Sequence, residues 1–212
     1  MMELHDLRIN YGKGEIDDRN LPESPFGWFG EWLADAISKG LPEANAMVLS
    51  TVSDLGKPSS RIVLLKAFDE RGFLFFTNYS SRKGHNITLN PAGSLLFFWP
   101  ELERQVRVEG IILKADPVTS DEYFYSRPLE SRVSAAVSPQ SAEVPSRIYL
   151  EKMHKDFLES LKDDKVQRPD NWGGYWLFPE LVEFWQGRRN RLHDRIQYDR
   201  SDSEWKRCRL AP

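Results

Sequence analysis

The sequence predicts a mainly β fold with inserted helices (α+β), built on a barrel of six to eight antiparallel strands. Three observations predict it. Short runs rich in β-branched and aromatic residues recur along the chain, divided by turn-forming residues. Several successive runs are joined by only a few residues, which favours antiparallel neighbours. Helical spacing of apolar residues is confined to a few inserted segments.

In chain order, residues 1–24 are polar, carry Gly12, Gly14 and Pro22, and read as an arm that is ordered only where it docks. Pro25 to Gly40 places Phe26, Phe29, Leu33 and Ile37 at helical spacing beside Trp32, with Gly40 as a stop. Ala46 to Ser53, Arg61 to Lys66 and Phe73 to Thr77 read as strands, with turns at residues 54–57 and 69–72. Ser81 is placed to cap a short helix opened by Arg82 and Lys83 and ended at Asn90-Pro91. Gly93 to Trp99 and Arg104 to Ala115 are further strands. Glu103, Gln105, Arg107 and Glu109 form a polar row on the second of these, which on a half-exposed sheet faces solvent and otherwise lines a pocket. Thr119 with Glu122 reads as a capping box opening a helix to Arg127, and a short helix follows Glu130. A longer helix spans Pro145 to Asp163. Strands are expected at 172–178, 181–186, Arg191 to Tyr198 and Glu204 to Leu210. No internal repeat or composition shift divides residues 25–212, so one domain follows the arm.

Composition narrows the function. The chain has 212 residues, 29 basic against 32 acidic, and a net charge of −3, which does not suit a general polyanion binder. The basic residues cluster at 82–83, 104–107 and 188–195, which suits a small anionic ligand. A single cysteine, Cys208, rules out an intrachain disulfide and fits a reducing compartment. The N-terminus lacks a secretory pattern and no apolar run reaches spanning length, so a cytoplasmic protein is expected. The four histidines have no metal-ligand spacing, and no metal is expected.

Three clusters could carry chemistry. Two cations in a first helical turn oppose the helix dipole, and a phosphate bound by Ser81, Arg82 and Lys83, with Arg61 or Lys66 beside it, would remove that conflict. The alternative is a set of ordinary solvated cations. If the chain is extended from residue 191, Arg191, His193 and Arg195 share one face beside Trp185, which reads as a pocket wall rather than a charged hairpin end. Tyr123 and Arg127, four apart on a helix, with Ser131 after them, form a second phosphate cradle or else a solvated helix end. Nucleotide-loop, nucleophile-elbow and metalloprotease motifs are missing from the sequence, so any redox chemistry falls to an organic cofactor.

The runs RIVLLK (61–66), FFTNYSSRKGHNI (75–87), LERQVRVEG (102–110), YFYSRP (123–128), SPQS (138–141), NWGGY (171–175), EFWQGRRNRLHDR (183–195) and RLAP (209–212) resemble the pyridoxine/pyridoxamine 5′-phosphate oxidase family. The resemblance extends from the arm at Leu7-Arg8 to the C-terminus. It implies an FMN-binding split β-barrel, a homodimer with FMN at the subunit interface, and oxidation of pyridoxine or pyridoxamine 5′-phosphate to pyridoxal 5′-phosphate. Oxygen would be reduced to hydrogen peroxide. By motif, Arg61, Lys66, Phe76, Thr77, Ser81, Arg82, Lys83, Gln105, Gln140, Ser141, Trp185 and Arg195 belong to the FMN site. The resemblance gives Lys66, Tyr123, Arg127 and Ser131 to the substrate phosphate, Arg191 and His193 to the reacting end, and Arg8 and Tyr11 to an arm that closes over the site. Phe76 departs from the tyrosine usual there, and the odd spacing of Arg61 and Lys66 puts them on opposite faces of an ideal strand, which calls for a bulge or for contribution to different ligands. The alternatives are another split-barrel flavoprotein such as a flavin reductase, without the Tyr123–Arg127–Ser131 cradle, and a non-catalytic carrier of FMN or pyridoxal phosphate.

Overall fold

The structure, a computed structural model, describes residues 5, 7, 9–163, 165–202 and 204–212. Nine antiparallel strands form one curled sheet, against six to eight expected. They are β1 (Ala46–Val52), β2 (Pro58–Leu64), β3 (Ala67–Asp69), β4 (Gly72–Asn78), β5 (Ala92–Trp99), β6 (Arg104–Lys114), β7 (Trp172–Gln186), β8 (Asp194–Ser201) and β9 (Glu204–Arg209). The strand order is β2-β1-β5-β6-β7-β4-β3, with β8 paired to β7 and β9 to β8. The extra strand comes from Ala67–Asp69, a short edge piece that pairs with the start of β4.

β7 organises the sheet. Its residues 172–177 pair with β4, while residues 181–186 pair with β8. Its 15 residues run on where two strands were expected, because a bulge opposite Glu109 and Gly110 absorbs the irregularity at Pro179. The sheet closes tightly there: a Cβ on Gly110 would collide with the Phe178 carbonyl, so only glycine fits.

Five helices decorate the sheet: α1 (Pro25–Ser38), α2 (Arg82–Leu89), α3 (Pro117–Ser126), α4 (Leu129–Val137) and α5 (Arg147–Ser160). Ser24 caps α1 and Pro25 takes its first turn, where a missing N–H costs nothing. The helix plugs the concave face of the sheet. Phe29 lies within 4.8–5.0 Å (ring centroids) of Phe68, Phe73 and Phe97, and Trp28 stacks on Phe184 at 4.1 Å. Trp28, Trp32 and Ala36 widen the buried stripe, and Ile37, expected inside, is 60% exposed at its edge. Asp116, not Thr119, caps α3: its carboxylate accepts the Thr119 N–H, one turn earlier than expected. α5 is shorter than the expected 145–163 and buries no residue fully; Ile148 points outward, while Phe157 and Leu158 lean on a small second core around Phe124, Val133, Val166 and Trp172. No helix among the described residues is long and apolar enough to cross a membrane.

Truncating the plug tests this packing. Phe29→Ala should cost about 3–5 kcal/mol, the usual range for a buried phenylalanine. Urea unfolding at fixed protein concentration checks it; a loss under about 1 kcal/mol would show that the core does not depend on α1 packing.

Candidate functional site

The site grows from the end of β4. Asn78 ends that strand, its side-chain oxygen accepts the Ser80 N–H at 2.8 Å, and its carbonyl accepts the Ser81 hydroxyl at 2.7 Å. Fully buried Ser81 caps α2, as expected, by accepting the Gly84 N–H at 3.3 Å. Gly84 permits the turn, since a Cβ there would collide with the Tyr79 carbonyl. This tight cap aims the N-terminus of α2 and its two cations at a cleft.

The cations have only neutral partners. Lys83 Nζ donates to Gln140 Oε1 at 2.8 Å, Thr77 Oγ1 at 3.0 Å and Ser81 Oγ at 3.2 Å. The Arg61 guanidinium donates to Ser59 Oγ at 2.6 Å, Thr51 Oγ1 at 2.9 Å and the Leu49 carbonyl at 3.0 Å. Among the described residues no carboxylate pairs with either. Burial, with the Arg61 charge adding, pulls the Lys83 ammonium down to about 8. Burial also lowers Arg61, with Arg82 adding to the effect. Arg82 is exposed and turns to an adjoining cleft of about 580 Å³, lined also by Ser80, His85, Gln140 and Ser141.

Lys83 and Arg61 open on a cleft of about 390 Å³ that also receives Lys66, Thr77, Tyr123, Arg127, Gln140 and Trp172. Arg61 and Lys66 reach it together because β2 ends at Leu64, so the strict alternation of a strand no longer applies at Lys66. One wall is an aromatic stack: Tyr123 on Phe76 at 4.0 Å and Phe76 on Trp172 at 5.6 Å. The Phe76 ring is therefore part of that wall. Arg127 sits over Trp172 at 4.8 Å and Lys66 over Tyr123 at 5.6 Å. Buried Nη1 of Arg127 has no hydrogen-bond partner, and burial lowers the pKa of its guanidinium. Ser131 lies in the first turn of α4, donating its N–H to the Pro128 carbonyl, and does not line this cleft.

The other end of β7 carries the second cluster. Residues 189–191 form a 3-10 turn with positive φ at Asn190 and Arg191, and β8 begins only at Asp194. Arg191, His193 and Arg195 therefore do not share a strand face, contrary to expectation. Arg191 and His193 instead join Tyr11 and Arg188 around a cleft of about 620 Å³. Tyr11 stands edge-on to Trp185 and to His193, each at 5.6 Å. The Arg188 N–H donates to His193 Nδ1 at 3.1 Å, which places the hydrogen of the neutral ring on Nε2. Burial, then Arg191, lowers the His193 pKa and favours that neutral form.

Arg195 turns away from this cluster. It donates to Glu183 at 2.9 and 3.0 Å and to the Ala211 carbonyl at 2.8 Å. Burial opposes the Glu183 charge, but hydrogen bonds from Arg195 and Arg107 overcome it and hold the carboxyl below its usual range. Arg107 of the polar row is thus a partner of Glu183 and Glu109, and Gln105 lies opposite Trp185 in the β6–β7 register. Arg8 lies outside the described residues. Two residues escaped the sequence reading. Trp172 gave only an aromatic beside a glycine pair, and Glu183 is an acid inside an apolar run, a pattern that marks a buried counter-charge.

The Lys83 environment has a pH signature. Without a bound anion its folded pKa of about 8 lies below the unfolded value of 10.5, so between those values the unfolded chain holds the extra proton. Stability from this group should therefore rise with pH across that window. Unfolding midpoints of anion-free wild type and Lys83→Met, compared from the lower to the upper limit, check it: the wild type should gain relative to the variant, and parallel curves would contradict the assignment.

Comparison with known proteins agrees with the geometry. Residues 33–157 match the family model described as pyridoxamine 5′-phosphate oxidase. Residues 172–212 match the model of the pyridoxine 5′-phosphate oxidase C-terminal dimerisation region. The pyridoxine/pyridoxamine 5′-phosphate oxidases of Paraburkholderia xenovorans and Paraburkholderia phytofirmans are each 52% identical over 214 residues, covering all of both chains. PhzG from Burkholderia lata, solved with tetrahydrophenazine-1-carboxylic acid, is 29% identical with a TM-score of 0.88 and covers 95% of this chain and 100% of its own. A pyridoxamine 5′-phosphate oxidase-related, FMN binding protein from Nostoc punctiforme shares the fold, with a TM-score of 0.73 at 20% identity over 91% of this chain and 100% of its own. The curled sheet is a split β-barrel of that kind, and the chain belongs to the pyridoxamine 5′-phosphate oxidase family.

Proposed function

We propose that the chain oxidises the 4′ carbon of pyridoxine 5′-phosphate and pyridoxamine 5′-phosphate, giving pyridoxal 5′-phosphate, with FMN as cofactor and oxygen reduced to hydrogen peroxide. One observation carries this reading: half-buried cations without carboxylates stand in two places around one aromatic-walled cleft, at Lys83–Arg61 and at Arg127. Two phosphorylated aromatic molecules match that pattern. Ser81, Arg82 and Lys83 at the start of α2, with Arg61 from β2, suit the FMN phosphate, with Thr77, Gln140 and Ser141 beside them. Lys66, Tyr123 and Arg127 suit the substrate phosphate, with Ser131 one turn further on. When bound, FMN supplies the acceptor for the hydride that leaves the 4′ carbon.

The residues of this chain position the reaction. Arg127 and Lys66 fix one end of the substrate, and an anchored end turns an encounter into an oriented one. At the reacting end, the His193 Nε2–H and Arg191 would orient the 4′ oxygen or nitrogen, whose own proton leaves to water as the hydride departs from carbon; for the amine, water then hydrolyses the imine and ammonia leaves. Tyr11 and Trp185 cover that end, and with Arg8 the arm would exclude water. Arg195, held by Glu183, contributes a fixed donor array rather than a free charge.

The two ends lie far apart in one chain. Trp172 of the cradle and Gln186, just before the 187–193 turn, lie at opposite ends of β7, roughly 45 Å apart along the strand at ~3.3 Å per residue. We infer that one subunit supplies the cradle and its partner supplies Arg191 and His193, in a homodimer built on the C-terminal dimerisation region. A second reading takes the PhzG ligand, a tricyclic carboxylic acid, as the substrate type. The orphaned Arg127 beside Lys66 favours a phosphate over it.

Substrate discrimination tests the reading. Arg127→Ala should raise KM for pyridoxine 5′-phosphate at least about tenfold, the worth of one charge-assisted bond, while keeping FMN bound. Wild type should strongly prefer the phosphorylated substrate over pyridoxine, and the variant should lose much of that preference. His193→Ala should leave the preference intact and lower kcat/KM for both. Loss of FMN from Arg127→Ala, or an unchanged preference, would overturn the assignment.

A further inference from the structure

Away from the two clefts, the arm is fastened to the barrel by one buried carboxylate. Glu103 follows the 3-10 turn at Pro100–Leu102 in the left-handed conformation, φ 55°, and is 4% exposed. That backbone turn takes it out of the polar row expected with Gln105. Its Oε2 accepts two successive arm N–H groups, from Gly12 at 2.7 Å and Lys13 at 2.9 Å. Adjacent N–H groups aimed at one oxygen make an anion-binding concavity, and here the anion is a side chain of the same protein. Among the described residues Glu103 forms no salt bridge, so its buried charge depends on the arm backbone. Lys13 Nζ adds a bond to the Glu101 carbonyl at 2.7 Å.

The same residue fixes the start of the His193 turn. Its carbonyl accepts the Gly187 N–H at 2.7 Å and the Gln186 side-chain amide at 3.2 Å. Gly187 leaves room for the arm, since a Cβ there would stand 2.8 Å from the Tyr11 ring and 3.0 Å from Glu103 Cβ. Tyr11, immediately before the latched Gly12, is thereby set against Trp185 and His193.

We propose that Glu103 is a positioning residue that latches the arm, holds Tyr11 over the reacting end, and sets substrate affinity there without touching the substrate. The effect on substrate rests on the functional reading above; the latch does not. Glutamine keeps an acceptor in place and alanine removes it, so the two substitutions separate the bond from mere bulk. Proline at residue 12 deletes one donor from the arm side and leaves the sheet alone.

The test uses FMN-loaded wild type, Glu103→Ala, Glu103→Gln and Gly12→Pro, with trypsin cleavage after Lys13 and steady-state kinetics on pyridoxine 5′-phosphate. Glu103→Ala and Gly12→Pro should be cut at least about tenfold faster than wild type, and Glu103→Gln within about threefold of it. KM should rise in the same order, with kcat within about twofold, because the arm contact is equal in ground and transition states. Wild-type cleavage rates in both Glu103→Ala and Gly12→Pro would overturn the latch, as would a Glu103→Gln no better than alanine. Faster cleavage with unchanged KM would overturn the role in substrate affinity. Should Glu103→Ala fail to fold, Gly12→Pro decides from the arm side. If even wild type does not oxidise pyridoxine 5′-phosphate, the functional reading fails, and cleavage after Lys13 still decides the latch.

Discussion

Drawing a cation partly out of water without a counter-charge costs more than most single contacts return, and this fold does so at half-buried Lys83 and again at half-buried Arg127. Everything near the cradle is built to hold those charges still. Ser81 caps α2 while fully buried, Gly84 allows the chain to fold back on Tyr79, and Gln140 reaches across from a distant loop to share the Lys83 proton donors. Neutral oxygens hold Lys83 in place without neutralising it, and Arg127 rests over the Trp172 ring. A chain that needed these residues only for stability would place carboxylates there, as it does for Arg195 and Arg107 with Glu183. The contrast between paired and unpaired cations marks where an anion belongs.

Topology sets the second constraint. One strand of 15 residues, β7, carries the cradle's Trp172 at one end and leads into the His193 turn at the other. Its bulge at Pro179 lets it pair with β4 over one half and β8 over the other. On the proposed reading, a substrate too small to span that strand meets the far end of a second copy, and dimerisation becomes part of the chemistry. The arm then acts locally: Glu103 ties it to the chain that supplies His193.

Much of this was legible in the sequence. Alternating apolar runs and short turns gave the strands, and the cap at Ser81 was read correctly, with two misplaced cations after it. Tyr123 and Arg127 were paired by helical spacing, and Lys66 joined them only through the family resemblance; the structure brings all three to one cleft because β2 stops at Leu64. What failed was periodicity at irregular backbone. Positive φ at Asn190 and Arg191 broke the extended stretch assumed for residues 191–195, and positive φ at Glu103 took it out of its row. The cap of α3 moved to Asp116 because a carboxylate one turn earlier reaches the Thr119 N–H. Contacts between distant segments, such as Glu103 with Gly12 or Gln140 with Lys83, leave no local pattern to read.

The central claim is that each site takes its phosphate cradle from one subunit and its reacting end from the other. A heterodimer of one Arg127→Ala subunit and one His193→Ala subunit, isolated through two different affinity tags, tests it most directly. One of its two sites would then combine an intact cradle with an intact reacting end. The account predicts about half the wild-type turnover per dimer at substrate concentrations where both parent homodimers are nearly inactive. A heterodimer as inactive as its parents would contradict it and place each complete site within a single chain.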